Sequence, residues 1–204
     1  MHTVNNFAVT PDVPVLIQPA FLDLQTCERI RRGMNHGADE AAEIAGDEIA
    51  TRDTVRRGRS IEVDPLLLEF VEARIDDARR AIERTIRRPL GEREGTGFLR
   101  YHPGGFYRQH RDRGTVAGWP AAAKRLVTVV VFLNGGVPDA AQRDFEGGQL
   151  CLYPGTGAPI EISPETGLLV AFPAHFLHEV RPVLAGTRDA AIDWFFDPAT
   201  SEPS

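Results

Sequence analysis

Cysteine is scarce in this chain, with only Cys27 and Cys151 in 204 residues, and the two stand far apart. A disulfide framework is not expected, and a reducing cytoplasm is the expected compartment. Long apolar runs are missing as well. The start, MHTVNNFAVTPDVPVLIQPAF, is broken by Pro11, Pro14 and Pro19, so neither a signal peptide nor a membrane span is expected. Positive charge is in deficit at a net charge of -6, which argues against nucleic acid or an anionic membrane as partner. Lys124 is the single lysine. The arginines between Arg52 and Arg93 alternate with acids such as Glu62, Asp64, Glu69 and Glu72, as on a solvated helix face. No internal repeat and no low-complexity segment occurs.

What is present is an ordinary globular composition, 42% hydrophobic and 25% charged, long enough to bury a core in one domain spanning 1–204. Leu24, Cys27, Ile30 and Met34 recur at helical spacing behind a capping Asp23. A second helix starts at Asp64-Pro65 and carries the stripe Leu67, Val71, Ala78, Ile82 and Ile86 towards Pro89. Between them Gly37 to Arg59 reads as a loop placed to act as a lid, reaching a strand near Gly58 to Val63. Beyond Gly97 the pattern changes to short strands divided by Gly and Pro: GFLRYH, RLVTVVVFLN, GGQLCLY, IEI, GLLVAF, HEVRPV and AAIDWFF. Helices first and strands second imply an α+β, mainly β chain, a barrel or jelly roll with N-terminal helices supporting one sheet. The expected division is helical support and lid over 1–96, core over 97–197 and a disordered tail over 198–204.

His110 and Asp112, in HRD, and His178, in FLHEV, form the informative constellation. Two imidazoles and a carboxylate on one face of a metal leave its other face open, the donor set of non-haem Fe(II) oxygenases. Ligands two apart on extended chain point to one side, and a jelly roll can fold His178 back over them. Arg188 heads an alternating face with Ala190, Ile192, Trp194 and Phe196, where a cation is costly unless an anion pairs with it. Thr128 is a hydroxyl in the apolar row Leu126, Val130, Phe132, so Thr128 and Arg188 are placed to share one buried carboxylate. His175, His102, His36 and His2 read as exposed or structural, and Cys151 as a buried strand residue with no His to activate it.

The runs RYHPGGFYRQHRD, RLVTVVVFLN, FEGGQLCLYP and GLLVAFPAHFLHEVRPVLAGTRDAAIDWFF resemble the Fe(II)- and 2-oxoglutarate-dependent dioxygenases, in their prolyl-4-hydroxylase-like branch. The resemblance covers Gly97 to Asp197 and is loose before that. It implies a double-stranded β-helix, cupin-like, with iron held by His110, Asp112 and His178. It implies further that Arg188 grips the distal carboxylate of 2-oxoglutarate with help from Tyr101 and Thr128, and that Trp194 lines the pocket. Catalysis would consume O2 and release succinate and CO2, with ascorbate as reductant, and hydroxylate an amino-acid-like, peptidyl (including prolyl) or small-metabolite C–H. Asp112 favours hydroxylation over halogenation, because halogenases of the family lack this carboxylate. Phe132 departs from relatives that carry Tyr there and hydroxylate protein prolines.

Two rival classes predict different behaviour. A non-catalytic jelly-roll sensor or interaction module would bind metal or 2-oxoglutarate without turnover. A cupin-like lyase or isomerase would need neither Arg188 nor O2. The residues leave open the substrate, the oligomeric state, and whether Arg52, Arg56, Arg57 and Arg59 contact a substrate carboxylate or are simply solvated.

Overall fold

The computed structural model describes residues 13–42, 54–115, 119–136, 144–155 and 158–198. In chain order its elements begin with β1 (Leu16–Gln18), α1 (Leu24–Met34), β2 (Asp39–Ala41), β3 (Arg56–Arg57), β4 (Arg59–Ile61) and α2 (Pro65–Ile86). The strands that follow are β5 (Gly97–Tyr101), β6 (Phe106–His110), β7 (Arg125–Phe132), β8 (Phe145–Gly147) and β9 (Leu150–Tyr153). The last are β10 (Ile160–Ile162), β11 (Leu169–Pro173), β12 (Leu177–Val180), β13 (Val183–Gly186) and β14 (Arg188–Phe196).

Both helices start where their caps require. The Asp23 carboxylate accepts from the Thr26 N–H at 2.7 Å, and that of Asp64 from the Leu66 N–H at 2.9 Å, with Pro65 at the first helical position. Each cap satisfies an otherwise orphaned donor, worth about 1 kcal/mol. Helix α1 buries Cys27, Ile30 and Met34, whereas Leu24, expected in the same stripe, is exposed. The helix meets the sheet only beyond its first turn. Helix α2 buries Val71, Ile75, Ala78 and Ile82 and ends at Arg87, whose φ of 58° is left-handed. Pro89 then prevents continuation.

A seven-stranded antiparallel sheet runs β1-β11-β7-β14-β5-β4-β2, and a five-stranded one runs β10-β9-β12-β6-β3. Strand β7 is buried along its whole length because both of its faces are covered. Val127, Val129 and Val131 pack with the helices through Ile30, Val71 and Ile75, while Val130 and Phe132 face Leu150 and Leu152 of the second sheet. Two covered faces explain why this strand reads as a continuous apolar run instead of an alternating one. The architecture is the expected jelly roll with helices on one sheet.

Several local expectations change. Strands β1 and β6 form from LIQ and FYRQH, which show little apolar alternation. HEVRPV splits into β12 and β13 at Arg181-Pro182, where proline lacks the ladder N–H. The segment read as a loop from Gly37 to Arg59 contributes β2, paired to β4, and β3, paired to β6. The heart of the expected lid, 43–53, lies outside the described residues, as do 137–143 and, of the expected tail, 199–204. Among the described residues no helix is long and apolar enough to cross a membrane.

Candidate metal centre

Antiparallel pairing of β6 with β12 sets His110 directly opposite His178, and Asp112 lies two residues past the end of β6. Asp112 Oδ1 is 3.5 Å from His110 Nε2, and Oδ2 is 3.4 Å from His178 Nε2. One ligand atom from each of the three residues lies within 4.8 Å of the others. Such spacing suits donors around one ion with bonds of about 2.0–2.2 Å.

The imidazoles are oriented alike. His110 Nδ1 donates to the Arg108 carbonyl at 2.7 Å and His178 Nδ1 to the Phe176 carbonyl at 2.9 Å, each two residues back. With the proton fixed on Nδ1, both Nε2 lone pairs are left for the space beside Asp112, the arrangement that metal-binding histidines require. Burial pushes the Asp112 carboxyl up, but His178 and His110 outweigh it and hold it well below the usual carboxylate range. Burial lowers His110, with His178 adding to that, while for His178 the Asp112 charge overcomes burial and raises it. The donor set therefore fits a divalent cation: one ionised carboxylate and two histidines with matched tautomers.

These donors open into a cavity of about 90 Å³ between the two sheets. On β14, Arg188, Ala190, Ile192 and Trp194 line it, as alternation predicts, joined by Val130, Leu150 and Val180. Arg188 is only 2% exposed and stands opposite Tyr101 in the β14–β5 ladder, its guanidinium 5.3 Å from that ring. Its Nε donates to the Gly148 carbonyl at 3.0 Å, and among the described residues it meets no carboxylate. Burial pushes the guanidinium down to about 10. The Gly-Gly turn of FEGGQL has a physical cause here. Gly148 has φ of +66°, and a Cβ there would fall 2.9 Å from Arg188 Cδ.

Thr128 bonds to the metal site. Its hydroxyl donates to Asp112 Oδ2 at 2.7 Å, and Thr128 is not among the residues lining the cavity. Its inward direction is as the strand face requires, but the nearest carboxylate is the metal-site one. His175 is exposed and outside the cluster, and Cys151 is a buried free thiol.

Three residues around the site, Arg125, Glu94 and Trp119, had no sequence signal. Arg125 is 6% exposed, lies 3.7 Å over the Trp194 ring, and gives two 2.5 Å bonds to Glu94. Alternation alone would have faced it towards the helices with Val127, but the β7–β14 ladder shifts register at this end. Glu94 also accepts from Trp119 Nε1 at 3.0 Å, so one carboxylate fixes a wall of two tryptophans and a guanidinium. Opposite, Arg56 sits 4.6 Å over the ring of Tyr107, which stacks on His110 at 3.5 Å between centroids. Burial pushes the Tyr107 phenol up to about 12.

The family model for the 2OG-Fe(II) oxygenase superfamily matches residues 96–196, the span that holds every donor described above. A PKHD-type hydroxylase of Methylobacterium nodulans is 36% identical over 100 residues, 48% of this chain and 40% of that protein. Another from Idiomarina loihiensis is 26% identical over 179 residues, 85% of this chain and 73% of that protein. The first match thus spans less than half the length of its curated relative. A crystal structure of a prolyl-4-hydroxylase from Pseudomonas putida superposes with TM-score 0.69 at 26% identity, covering 91% of this chain and 93% of that one. A prolyl hydroxylase from Trichoplax adhaerens, solved with a peptide fragment of the hypoxia inducible factor oxygen degradation domain, shares the fold at TM-score 0.75 and 22% identity, with 94% and 89% covered.

Proposed function

We propose that this chain, which belongs to the 2OG-Fe(II) oxygenase superfamily, is a hydroxylase that inserts oxygen into an unactivated C–H bond of a small-molecule or peptidyl substrate. The observation that carries the reading is the joining, in one cavity, of three metal donors with a buried arginine that meets no carboxylate among the described residues. The first asks for a cation and the second for an anion.

Fe(II) held by His110, Asp112 and His178 would supply the activation of O2 that couples decarboxylation of 2-oxoglutarate to substrate hydroxylation. The chain's own residues do the rest. Thr128 donates to Asp112 Oδ2 and keeps that carboxylate turned towards the imidazoles. Arg188, with Tyr101 across the ladder, binds the distal carboxylate of the cosubstrate, and the low-dielectric surroundings strengthen that charge-assisted pair. Val130, Leu150, Val180 and Ile192 exclude water from the reacting space. Trp194 and Trp119, fixed through Arg125 and Glu94, form the wall along which the substrate C–H is oriented. Both cysteines are buried free thiols, which supports a cytoplasmic location.

The test is succinate release from 2-oxoglutarate by protein supplied with Fe(II) and ascorbate. His178→Ala is expected to bring it to background while far-UV circular dichroism is retained. Turnover persisting in that variant would overturn the ligand assignment.

A further inference from the structure

The run Arg56-Arg57-Gly58-Arg59 crosses from one sheet to the other, since β3 pairs with β6 and β4 with β5. Behind that crossing lies a second hollow of about 150 Å³, bordered by Arg57, Arg59, Arg100 and His102. Residues two apart on extended chain share a face, so each side of the hollow receives two of the four. Register aligns the two sides: Asp189, Arg100, Arg59 and Ala41 are successive partners across β14, β5, β4 and β2. Two arginines thus stand directly opposite one another, a pairing that a sheet disfavours. His102 is held by its own turn. The Gly105 N–H donates to the His102 carbonyl at 2.7 Å, and Gly104 has the positive φ, 81°, that a type II turn with Pro103 before it requires.

No acid lines this hollow among the described residues. The exposed Asp39 pairs with Arg59 at 2.9 Å, and Asp189 divides its carboxylate between Arg100 and Arg31. Those bonds leave further N–H donors on the Arg59 and Arg100 guanidiniums. Arg57 meets the face of Phe106 at 6.0 Å and, among the described residues, no carboxylate. Ala41 and Ala42 continue the wall with short side chains that leave the space open. The hollow backs onto the metal-site cavity, because Arg56 borders both and Gly58 packs on Tyr101, where a Cβ would fall 2.8 Å from the ring.

We propose that this hollow is a second ligand site, one that takes a phosphate group. Three guanidiniums and an imidazole reach it from two separate backbone segments, and the oxygens of a tetrahedral dianion accept from several directions at once. A carboxylate holds its oxygens in one plane and meets fewer of these donors. Positive charge gathered without a lining acid adds a general attraction for anions. Inorganic phosphate and the phosphate of a small phosphorylated metabolite share this chemistry. Neither depends on the reaction at the metal.

The test is calorimetric titration of inorganic phosphate into the full chain, with Zn(II) and saturating N-oxalylglycine present to fill the metal-site cavity. One phosphate per chain is expected to bind, and acetate and succinate at equal ionic strength to bind about tenfold more weakly. Arg57→Gln and Arg59→Gln should each weaken phosphate about tenfold, the loss of one charge-assisted hydrogen bond. Arg80→Gln removes the same charge from α2, in a surface hollow that shares no residue with this one, and should leave phosphate binding unchanged. Arg57 is exposed and pairs with no carboxylate among the described residues, so Arg57→Gln is expected to keep its far-UV circular dichroism and to decide the matter even where Arg59→Gln unfolds. Glycerol 3-phosphate is titrated alongside. Tighter binding of the ester assigns the site to a phosphorylated metabolite and tighter binding of inorganic phosphate to the free ion, and either order upholds phosphate recognition. Absence of binding by both, acetate or succinate binding as tightly as phosphate, an undiminished affinity in folded Arg57→Gln, or an equal loss in Arg80→Gln would overturn it.

Discussion

Arg188 and Asp189 are neighbours in sequence, opposite in charge and equally hidden, at 2% and 0% exposure, yet they lie on opposite faces of β14. On the helix side Asp189 accepts from Arg31 Nε at 3.0 Å and from Arg100 at 2.7 and 3.0 Å. Four residues further along on the same face, Asp193 is treated likewise by Arg93, Thr96 and the Gly95 N–H. On the cavity side Arg188 has a carbonyl and aromatic faces, and the Trp194 N–H has no acceptor among the described residues. One strand therefore carries a satisfied face and an unsatisfied one. Buried charges matched by the chain itself are architecture, and those left unmatched are addressed to a ligand.

That contrast is open to direct challenge. The largest effect is expected from Asp189→Ala, which leaves the half-hidden Arg100 without its carboxylate and should cost about 3–5 kcal/mol in chemical denaturation. Arg188→Met should do the reverse, leaving stability unchanged within about 1 kcal/mol or raising it, because an unpaired buried charge is removed. The same variant should raise the KM for 2-oxoglutarate about a hundredfold, as truncation of one partner in a desolvated charge pair does. If Arg188→Met unfolds the protein as readily as Asp189→Ala, the division of the strand into two faces is wrong. The smallest effect belongs to Thr128→Val, which keeps the shape of β7 and deletes one bond to Asp112. Metal affinity, measured by competition with a chromophoric chelator, should fall about tenfold, with denaturation little changed. No loss of affinity would return Thr128 to a purely structural role.

Much of this was legible in the chain because it depends on local periodicity. Alternation along Arg188, Ala190, Ile192 and Trp194 put those four on one face, and all four line the cavity. The HxD spacing and the apolar strand before His178 brought the three donors together on paper as they stand in the fold. The Thr128 hydroxyl turns inward, as its place in the apolar row required, and its bond to Asp112 joins residues 16 apart that no local pattern pairs. Strand β6 went unseen because FYRQH is held by its neighbours β12 and β3, not by its own apolar pattern. The network of Glu94 with Arg125 joins residues 31 positions apart, and no local pattern announces it.

The sequence by itself determined the helices, the strand-rich core, the three donors and the buried cation on β14, because caps, residue period and the cost of burying charge act within a few residues. The tertiary structure decided where otherwise equivalent arginines go: Arg59 meets Asp39, Arg125 meets Glu94, and Arg56 lies over Tyr107, which stacks on His110. Ion pairing depends on which distant segment arrives at each side chain, and that is fixed only when the two sheets close on one another.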